Sequence, residues 1–342
     1  MAAAPTERDV RPVEALRRLI DGYQVSQAIH VAATLGIADL LDDAPLTSDE
    51  LAAACEAHPA SLYRLLRALA SVGVVHETDQ RRFALTKLGE CLRSNAPEPV
   101  AGWAEYVGRP YRWQSWAHLL HSVRTGDSAF RHAHGVGMWE FWSREPEEGA
   151  VFDRAMTDGS LATSRALLDA YDFGRFGTVV DVGGGQGAFL TALLAEHPAM
   201  RGVLLDQPHV VAAADETLGR AGVADRCTVV AGSFFDAVPE GGDAYVLQSV
   251  LHDWGDDDAA AILSGCRRAA AAGTELLVLE RELGAPNENR DAKFADLNML
   301  VGPGGRERTL AEYGVLFAST GFELLGMTPS RCGIDIIQAI AG

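Results

Sequence analysis

Apolar positions recur at helical spacing in the first quarter of the chain and fall into a strand, turn and helix rhythm in its second half. Within HPASLYRLLRALASVG, Leu62, Leu65, Leu66 and Leu69 share one helical face, with Pro59 near the start and Gly73 just past the end. That spacing predicts one short amphipathic helix. Val74 and Val75, the polar run ETDQRR, then Phe83 and Leu85 alternate as a hairpin. Helices followed by a hairpin predict a winged-helix-like unit over residues 1–96. Gln24–Leu41 is apolar almost all round, the pattern of a helix buried on several sides, with a partner subunit as one cover.

Residues 97–172 form a helical segment rich in aromatics: Trp103, Tyr106, Tyr111, Trp113, Trp116, Phe130, Trp139, Phe141 and Trp142. Most fit a helical core, and a subset is expected to line an apolar pocket for a flat ligand. From Gly177 the runs TVVDV, GVLLD, CTVVA, AYVLQ and ELLVLE alternate with helix-like stretches such as FLTALLAEH and DDDAAAILSGCRRAAA. Continuous apolar strands between helices predict an α/β domain over 173–342, a doubly wound, Rossmann-like parallel sheet covered on both faces. The stretch FELLGMTPSRCGIDIIQAIAG adds two strands joined by a turn, expected as an antiparallel edge.

Composition narrows the function classes. A chain of 342 residues with 48% apolar and 22% charged side chains has ample material for a core and suggests two domains. Acidic residues outnumber basic ones 47 to 29, and a net charge of −18 repels a phosphate backbone unless a basic face is segregated. The winged-helix pattern offers only Arg64, Arg67, Arg81 and Arg82 to DNA. It is therefore expected to be a scaffold for homodimerisation, with no nucleic-acid partner. Cys55, Cys91, Cys227, Cys266 and Cys332 are scattered without a CxxC pair, which suggests neither a disulfide framework nor a thiolate metal site. No 18-residue apolar run or signal-like leader is found, so a cytoplasmic protein without a membrane partner is expected.

The densest chemistry begins at Asp181-Val182-Gly183-Gly184-Gly185-Gln186-Gly187-Ala188, between a predicted strand and a predicted helix. Glycines there let the backbone approach a ligand, and the helix start offers free N–H groups to an anion. Gly183, Gly185 and Ala188 satisfy the dinucleotide spacing, while the tighter spacing through Gly187 suits an amino-acid-bearing nucleoside better. Asp206 ends the second strand, where a carboxylate meets a ribose diol; helix capping is its structural alternative. The third strand runs into Gly232-Ser233-Phe234-Phe235-Asp236, where adenine could lie on an aromatic face or the rings could simply pack. The fourth runs into Gln248-Ser249-Val250-Leu251-His252-Asp253-Trp254, at the end of the sheet where open α/β folds bind ligands. An imidazole there is a candidate general base. Asp256, Asp257 and Asp258 are better explained as a helix cap and first turn than as a metal cluster.

The ordered set DVGGGQG, LLDQP, GSFFD, QSVLHDW, VLERE and PGGRERT resembles the S-adenosylmethionine-dependent O-methyltransferases of the caffeate and hydroxyindole type, including bacterial enzymes that tailor aromatic polyketides and other antibiotics. The resemblance covers nearly the whole chain and implies an N-terminal dimerisation domain. It implies S-adenosylmethionine as cofactor, with Asp181, Gly183 and Gly185 at the methionyl part and Asp206 at the ribose. Gly232, Ser233, Phe234 and Gln248 would lie about the adenine. His252 would be the general base, oriented by Glu280 and Glu307. A small aromatic acceptor would lie among Trp103, Trp142, Met156, Asp253, Asn298 and Met299. This chain has GSFF where many relatives have GDFF or GDMF, and Gln248 where plant relatives often carry Lys. Methyl transfer from a sulfonium to a phenol needs in-line alignment and a base, and no divalent metal. A nicotinamide dehydrogenase, a ligand-binding winged-helix regulator and a methyltransferase fold with altered chemistry, such as hydroxylation or decarboxylation, are the alternatives.

Overall fold

The computed structural model describes residues 11–342, apart from the side chains at 161 and 162. Two compact units result, the first running to Arg112 and the second spanning Trp113–Gly342. Among the described residues no helix is long and apolar enough to cross a membrane.

In the first unit, helices Pro12–Ile20, Gly22–Thr34, Ile37–Leu40, Ser48–Ala54 and Pro59–Ser71 accompany strands β1 (Leu46–Thr47), β2 (Val75–Glu77) and β3 (Arg82–Leu85). The strands make an antiparallel sheet in the order β1-β3-β2, with Val75 opposite Leu85 and Glu77 opposite Phe83. The hairpin is as the alternation predicts. At two residues, β1 is too short to show a period. Leu62, Leu66 and Leu69 turn the Pro59–Ser71 helix into a core with Leu51, Val74, Val75 and Phe83. Thr47 starts the Ser48–Ala54 helix with a reciprocal capping box: its hydroxyl accepts the Glu50 N–H while Glu50 accepts the Thr47 N–H.

Gln24–Leu41 departs from expectation. It breaks at Leu35–Gly36 into two helices, and only Ala32, Ile37, Ala38 and Leu41 are buried while Val25 and Val31 stay exposed. On the helix before it, Val13, Leu16, Leu19 and Ile20 form one apolar face that is exposed throughout. Helix Ala101–Val107 belongs to this unit: Gln27 donates to the Gly108 carbonyl at 3.2 Å, and His30 Nδ1 lies 3.2 Å from the Ala104 carbonyl. Those contacts carry the unit past residue 96 to Arg112.

The second unit is built on a seven-stranded sheet in the order β6-β5-β4-β7-β8-β10-β9. Its strands are β4 (Thr178–Val182), β5 (Arg201–Asp206), β6 (Cys227–Ala231), β7 (Ala244–Gln248), β8 (Glu275–Glu280), β9 (Phe322–Thr328) and β10 (Asp335–Ala341). The first five are parallel; β10 runs antiparallel between β8 and β9, so of the last two strands only β9 lies at an edge, with β6 at the opposite one. Alternate residues feed opposite faces. Val180, Tyr245, Leu247, Leu276 and Val278 pack with Ile262 and Leu263 on one side, and Val179, Val246, Leu277 and Leu279 with Phe189 and Leu193 on the other. Because β4 has β5 on one flank and β7 on the other, successive crossovers diverge there and leave a crevice at the carboxyl ends of the strands.

Phe83 is completely buried, edge-on to Tyr63 with ring centroids 6.0 Å apart. Phe83→Ala should destabilise the first unit by about 3–5 kcal/mol, read as an earlier urea transition; an unchanged midpoint would contradict the packing described.

Candidate active site

The glycine loop leaves β4 and enters the helix Ala188–Glu196. Gly183 has a φ of 75°, and a Cβ on it would come within 2.9 Å of the Val250 side chain, so only glycine fits the approach to the β7 turn. Its N–H donates to the Leu205 carbonyl at 2.8 Å, and that of Gly232 to the Asp206 carbonyl at 2.9 Å, tying together the ends of β4, β5 and β6. The Asp206 carboxylate accepts the Gly185 N–H at 2.8 Å and the Gln207 N–H at 2.6 Å. Burial raises its pKa, and those two N–H groups and His209 oppose the rise.

Asp181 lies under the loop, completely buried, and neither carboxylate oxygen has a hydrogen-bond partner among the described residues. Burial first, and the neighbouring Asp206 charge second, push it up to about 7. Beside the loop, Gln186 and the face of helix Pro146–Ala170 carrying Asp153, Arg154, Thr157 and Asp158 line a cavity of about 260 Å³. The sequence analysis does not single out these residues, because one polar face of a helix looks like any solvated face.

After β6, the Ser233 hydroxyl accepts the Phe235 N–H at 3.2 Å, and Phe234 and Phe235 meet the Trp254 ring edge-on at 6.0 and 4.8 Å. Trp254 continues a row of rings through Trp139, Trp142 and Phe152. Gln248, expected near an adenine, donates to the Thr163 hydroxyl at 3.3 Å.

Past Gln248 the backbone turns sharply. Ser249 adopts a φ of 54°, a conformation costly for a residue with a Cβ. The turn aims the N–H groups of Val250 and Leu251 at Oε1 of Glu280, each at 2.9 Å, and lifts His252 into the crevice. Glu280, at the end of β8, and Glu307 are both completely enclosed. Their carboxylates approach His252 Nδ1 at 2.9 and 3.2 Å as ion pairs rather than aligned hydrogen bonds. Asp253 Oδ1 stands 3.6 Å from Nε2.

Burial opposes charge on the imidazole, but Glu280, Asp253 and Glu307 overcome it and hold the His252 pKa well above the usual histidine value. Burial lifts Asp253 to about 7 against the attraction of His252. Two enclosed carboxylates facing one ring nitrogen favour the imidazolium over the neutral ring. The ligand atoms of His252, Glu280 and Glu307 also lie within 4.8 Å of one another, a spacing a cation could share.

The expected acceptor residues stand on several elements. Trp142 is buried against Phe152 at 3.9 Å, Met156 is exposed on helix Pro146–Ala170, and Asn298 and Met299 lie on helix Arg290–Val301. On that last helix, Asp296 accepts the Glu307 N–H at 2.9 Å. Trp103 belongs to the first unit, half exposed beside Tyr106. Asp256, Asp257 and Asp258 fill the first turn of the Asp256–Ala269 helix as expected, but the cap needs correction: Gly255 is the N-cap, with no side-chain cap bond, and Asp256 receives the Arg308 guanidinium.

Comparison with known proteins agrees with this arrangement. Residues 17–95 match the O-methyltransferase dimerisation domain and 116–323 the O-methyltransferase domain. The chain is 43% identical to phenazine O-methyltransferase PhzM of Lysobacter antibioticus over 324 residues, 95% of each chain. It is 38% identical to the mitomycin biosynthesis 6-O-methyltransferase of Streptomyces lavendulae, covering 96% of this chain and 93% of that one. The crystal structure of the O-methyltransferase NcsB1 from neocarzinostatin biosynthesis, in complex with S-adenosylmethionine and 2-hydroxy-5-methyl naphthoic acid, superposes with a TM-score of 0.79 at 38% identity, over 93% of this chain and 96% of that one. With its dimerisation and catalytic domains both matched, this chain belongs to the O-methyltransferase family.

Proposed function

We propose that this protein transfers the methyl group of S-adenosylmethionine to a phenolic hydroxyl of a small aromatic natural-product intermediate, with His252 as general base. The observation that carries the proposal is the imidazole at the carboxyl end of β7, beside the glycine loop of β4 and backed by two enclosed carboxylates. The crevice fits the cofactor: a glycine loop whose backbone leaves room for a ligand, a carboxylate at the end of β5 for a ribose diol, and a row of rings after β6 for a purine. Arg154, with Asp153 and Asp158, suits the charged ends of an amino acid in the cavity beside Gln186.

Bound S-adenosylmethionine supplies an electrophilic methyl on a sulfonium. The chain's own work is to align the acceptor and to take its proton. A neutral phenol, with a pKa of about 10, is a poor nucleophile until its proton is accepted. His252 Nε2, on the ring edge away from Glu280 and Glu307, is the atom that receives it. The resulting imidazolium is the state the enclosed carboxylates favour. Asp253 flanks that edge and suits a hydrogen bond to the acceptor. Trp142, Met156, Asn298 and Met299 are the proposed apolar and polar contacts for its ring.

The dimerisation domain points to a homodimer. The apolar face of Pro12–Ile20 suits a second copy of this chain, since four large aliphatic side chains there are solvated in the single chain.

Four outcomes are expected. Asp206→Ala should weaken S-adenosylmethionine binding by about 1.5–3 kcal/mol, roughly ten- to hundredfold in Kd by calorimetry; tight NAD binding without a response to S-adenosylmethionine would overturn the assignment. His252→Ala should keep that affinity and lose about 10²–10⁴-fold in single-turnover methyl transfer to a phenol. Because the imidazole pKa is raised, its base form is lost as pH falls through that raised value, so the acid limb of kcat should lie above pH ~6.5 and move down in Glu307→Gln. Equal single-turnover rates for wild type and His252→Ala would leave alignment as the whole of catalysis. Finally, Leu16→Asp with Leu19→Asp should convert a dimer into monomers in light scattering, whereas a wild-type monomer at micromolar concentration would refute the interface.

A further inference from the structure

The His252 turn is held from its second side by Gly305, Arg306 and Arg308, residues that no catalytic role accounts for. Arg308 is completely buried, and its guanidinium reaches four groups at once, one of them the nearby Arg306 carbonyl at 3.3 Å. Nη1 donates to the Leu251 carbonyl at 3.0 Å, Nη2 donates to the Trp254 carbonyl at 2.9 Å, and Nε and Nη2 donate to Asp256 Oδ1 at 3.0 and 2.8 Å. Between those carbonyls, the His252 carbonyl accepts the Arg306 N–H at 2.8 Å. Gly305 lies so close that a Cβ on it would stand 2.1 Å from the His252 carbonyl oxygen and 2.6 Å from the Trp254 nitrogen. Glu280 takes N–H groups from the near side of the turn, while the segment 305–308 supplies donors to its carbonyls from the far side.

We infer that Arg308 is a positioning residue for methyl transfer: with Gly305 it clamps the Leu251–Trp254 turn and so keeps the His252 imidazole pressed against Glu280 and Glu307. The inference rests on the role proposed for His252. Only a planar fork with several N–H groups serves two carbonyls and a carboxylate in fixed directions. A lysine ammonium reaching the same place leaves part of that set unfilled. Loosening the turn moves the imidazole relative to its carboxylates, and an error of about 1 Å at a reacting group costs about 10²-fold in rate. The charged and titratable groups around the imidazole are Asp253 on its own turn, Glu280 on β8 and Glu307 beside Arg308, with Tyr313 adjoining those carboxylates from helix Leu310–Ser319. A relaxed turn therefore lets the imidazole titrate nearer its ordinary range.

The test combines NMR titration of ring-labelled histidine with kinetics on the full-length protein. Arg308→Lys should lower the His252 titration midpoint and cut kcat by about 10²-fold. The S-adenosylmethionine Kd should remain within twofold and the acceptor KM should change little. Gly305→Ala should act in the same direction through its separate contact, and Asp256→Asn, which removes the carboxylate partner at a half-exposed position, should give a smaller shift. Wild-type titration and kcat in folded Arg308→Lys and Gly305→Ala would overturn the inference. If Arg308→Lys does not fold, unchanged titration in both Gly305→Ala and Asp256→Asn would overturn it equally. A lowered midpoint in a background where His252→Ala keeps full activity would sustain the clamp and sink the general base, so the two proposals fail separately.

Discussion

A carboxylate with no exposure to water must have its oxygens served from within the fold, because leaving a buried charge unpaired costs several kcal/mol. Glu280 meets that demand by taking the N–H groups of Val250 and Leu251 on one oxygen and facing the His252 ring with the other. Much of the crevice follows from this. The strained backbone at Ser249 is needed to aim those N–H groups, and the apolar core on both sheet faces keeps the end of β8 rigid enough to sustain the strain. The residue that faces the His252 imidazole also folds the turn that presents it.

Periodicity and strand-end position made much of this legible in the sequence. The five parallel strands and their crevice follow from continuous apolar runs, and Asp206 announces itself because it ends such a run, His252 because it follows one closely. Glu280 ends one as well, at VLE. Glu307 sits in a loop and was found only through likeness to a family; nothing in local pattern says that it turns inward. Arg308 was hidden for a related reason. RER offers two arginines at adjacent polar positions, and only the tertiary fold decides that Arg306 is half exposed while Arg308 is enclosed. The break at Gly36 was also missed, since an apolar stretch looks helical right through a turn whose sole mark is one glycine.

Charge organises the second unit more than the overall count suggests. The net charge of −18 belongs mostly to a solvated surface, yet Asp181, Asp253, Glu280 and Glu307 lie in or beneath the crevice. Such a cluster persists only where charges are neutralised or partnered. His252 serves as the near counter-charge, the backbone N–H groups take part of the load, and the enclosed guanidinium of Arg308 lies behind them. A crevice of this sign favours a cationic sulfonium and disfavours anionic phosphates.

The position of β10 carries a consequence for biosynthesis. It is the latest strand of the sheet to leave the ribosome, yet it is inserted between β8 and β9 with Asp335 opposite Glu280. Until it arrives, β8 is a naked edge and the carboxylate at its end has a hydrated flank. The earlier unit can collapse during translation, as domains generally do. The sheet of the second unit cannot be completed so early, because β10 pairs with both β8 and β9. A chain stalled before β10 would therefore display a folded first unit on a body with an unpaired, aggregation-prone strand, which makes the interval before β10 emerges the one in which this protein most needs chaperone cover.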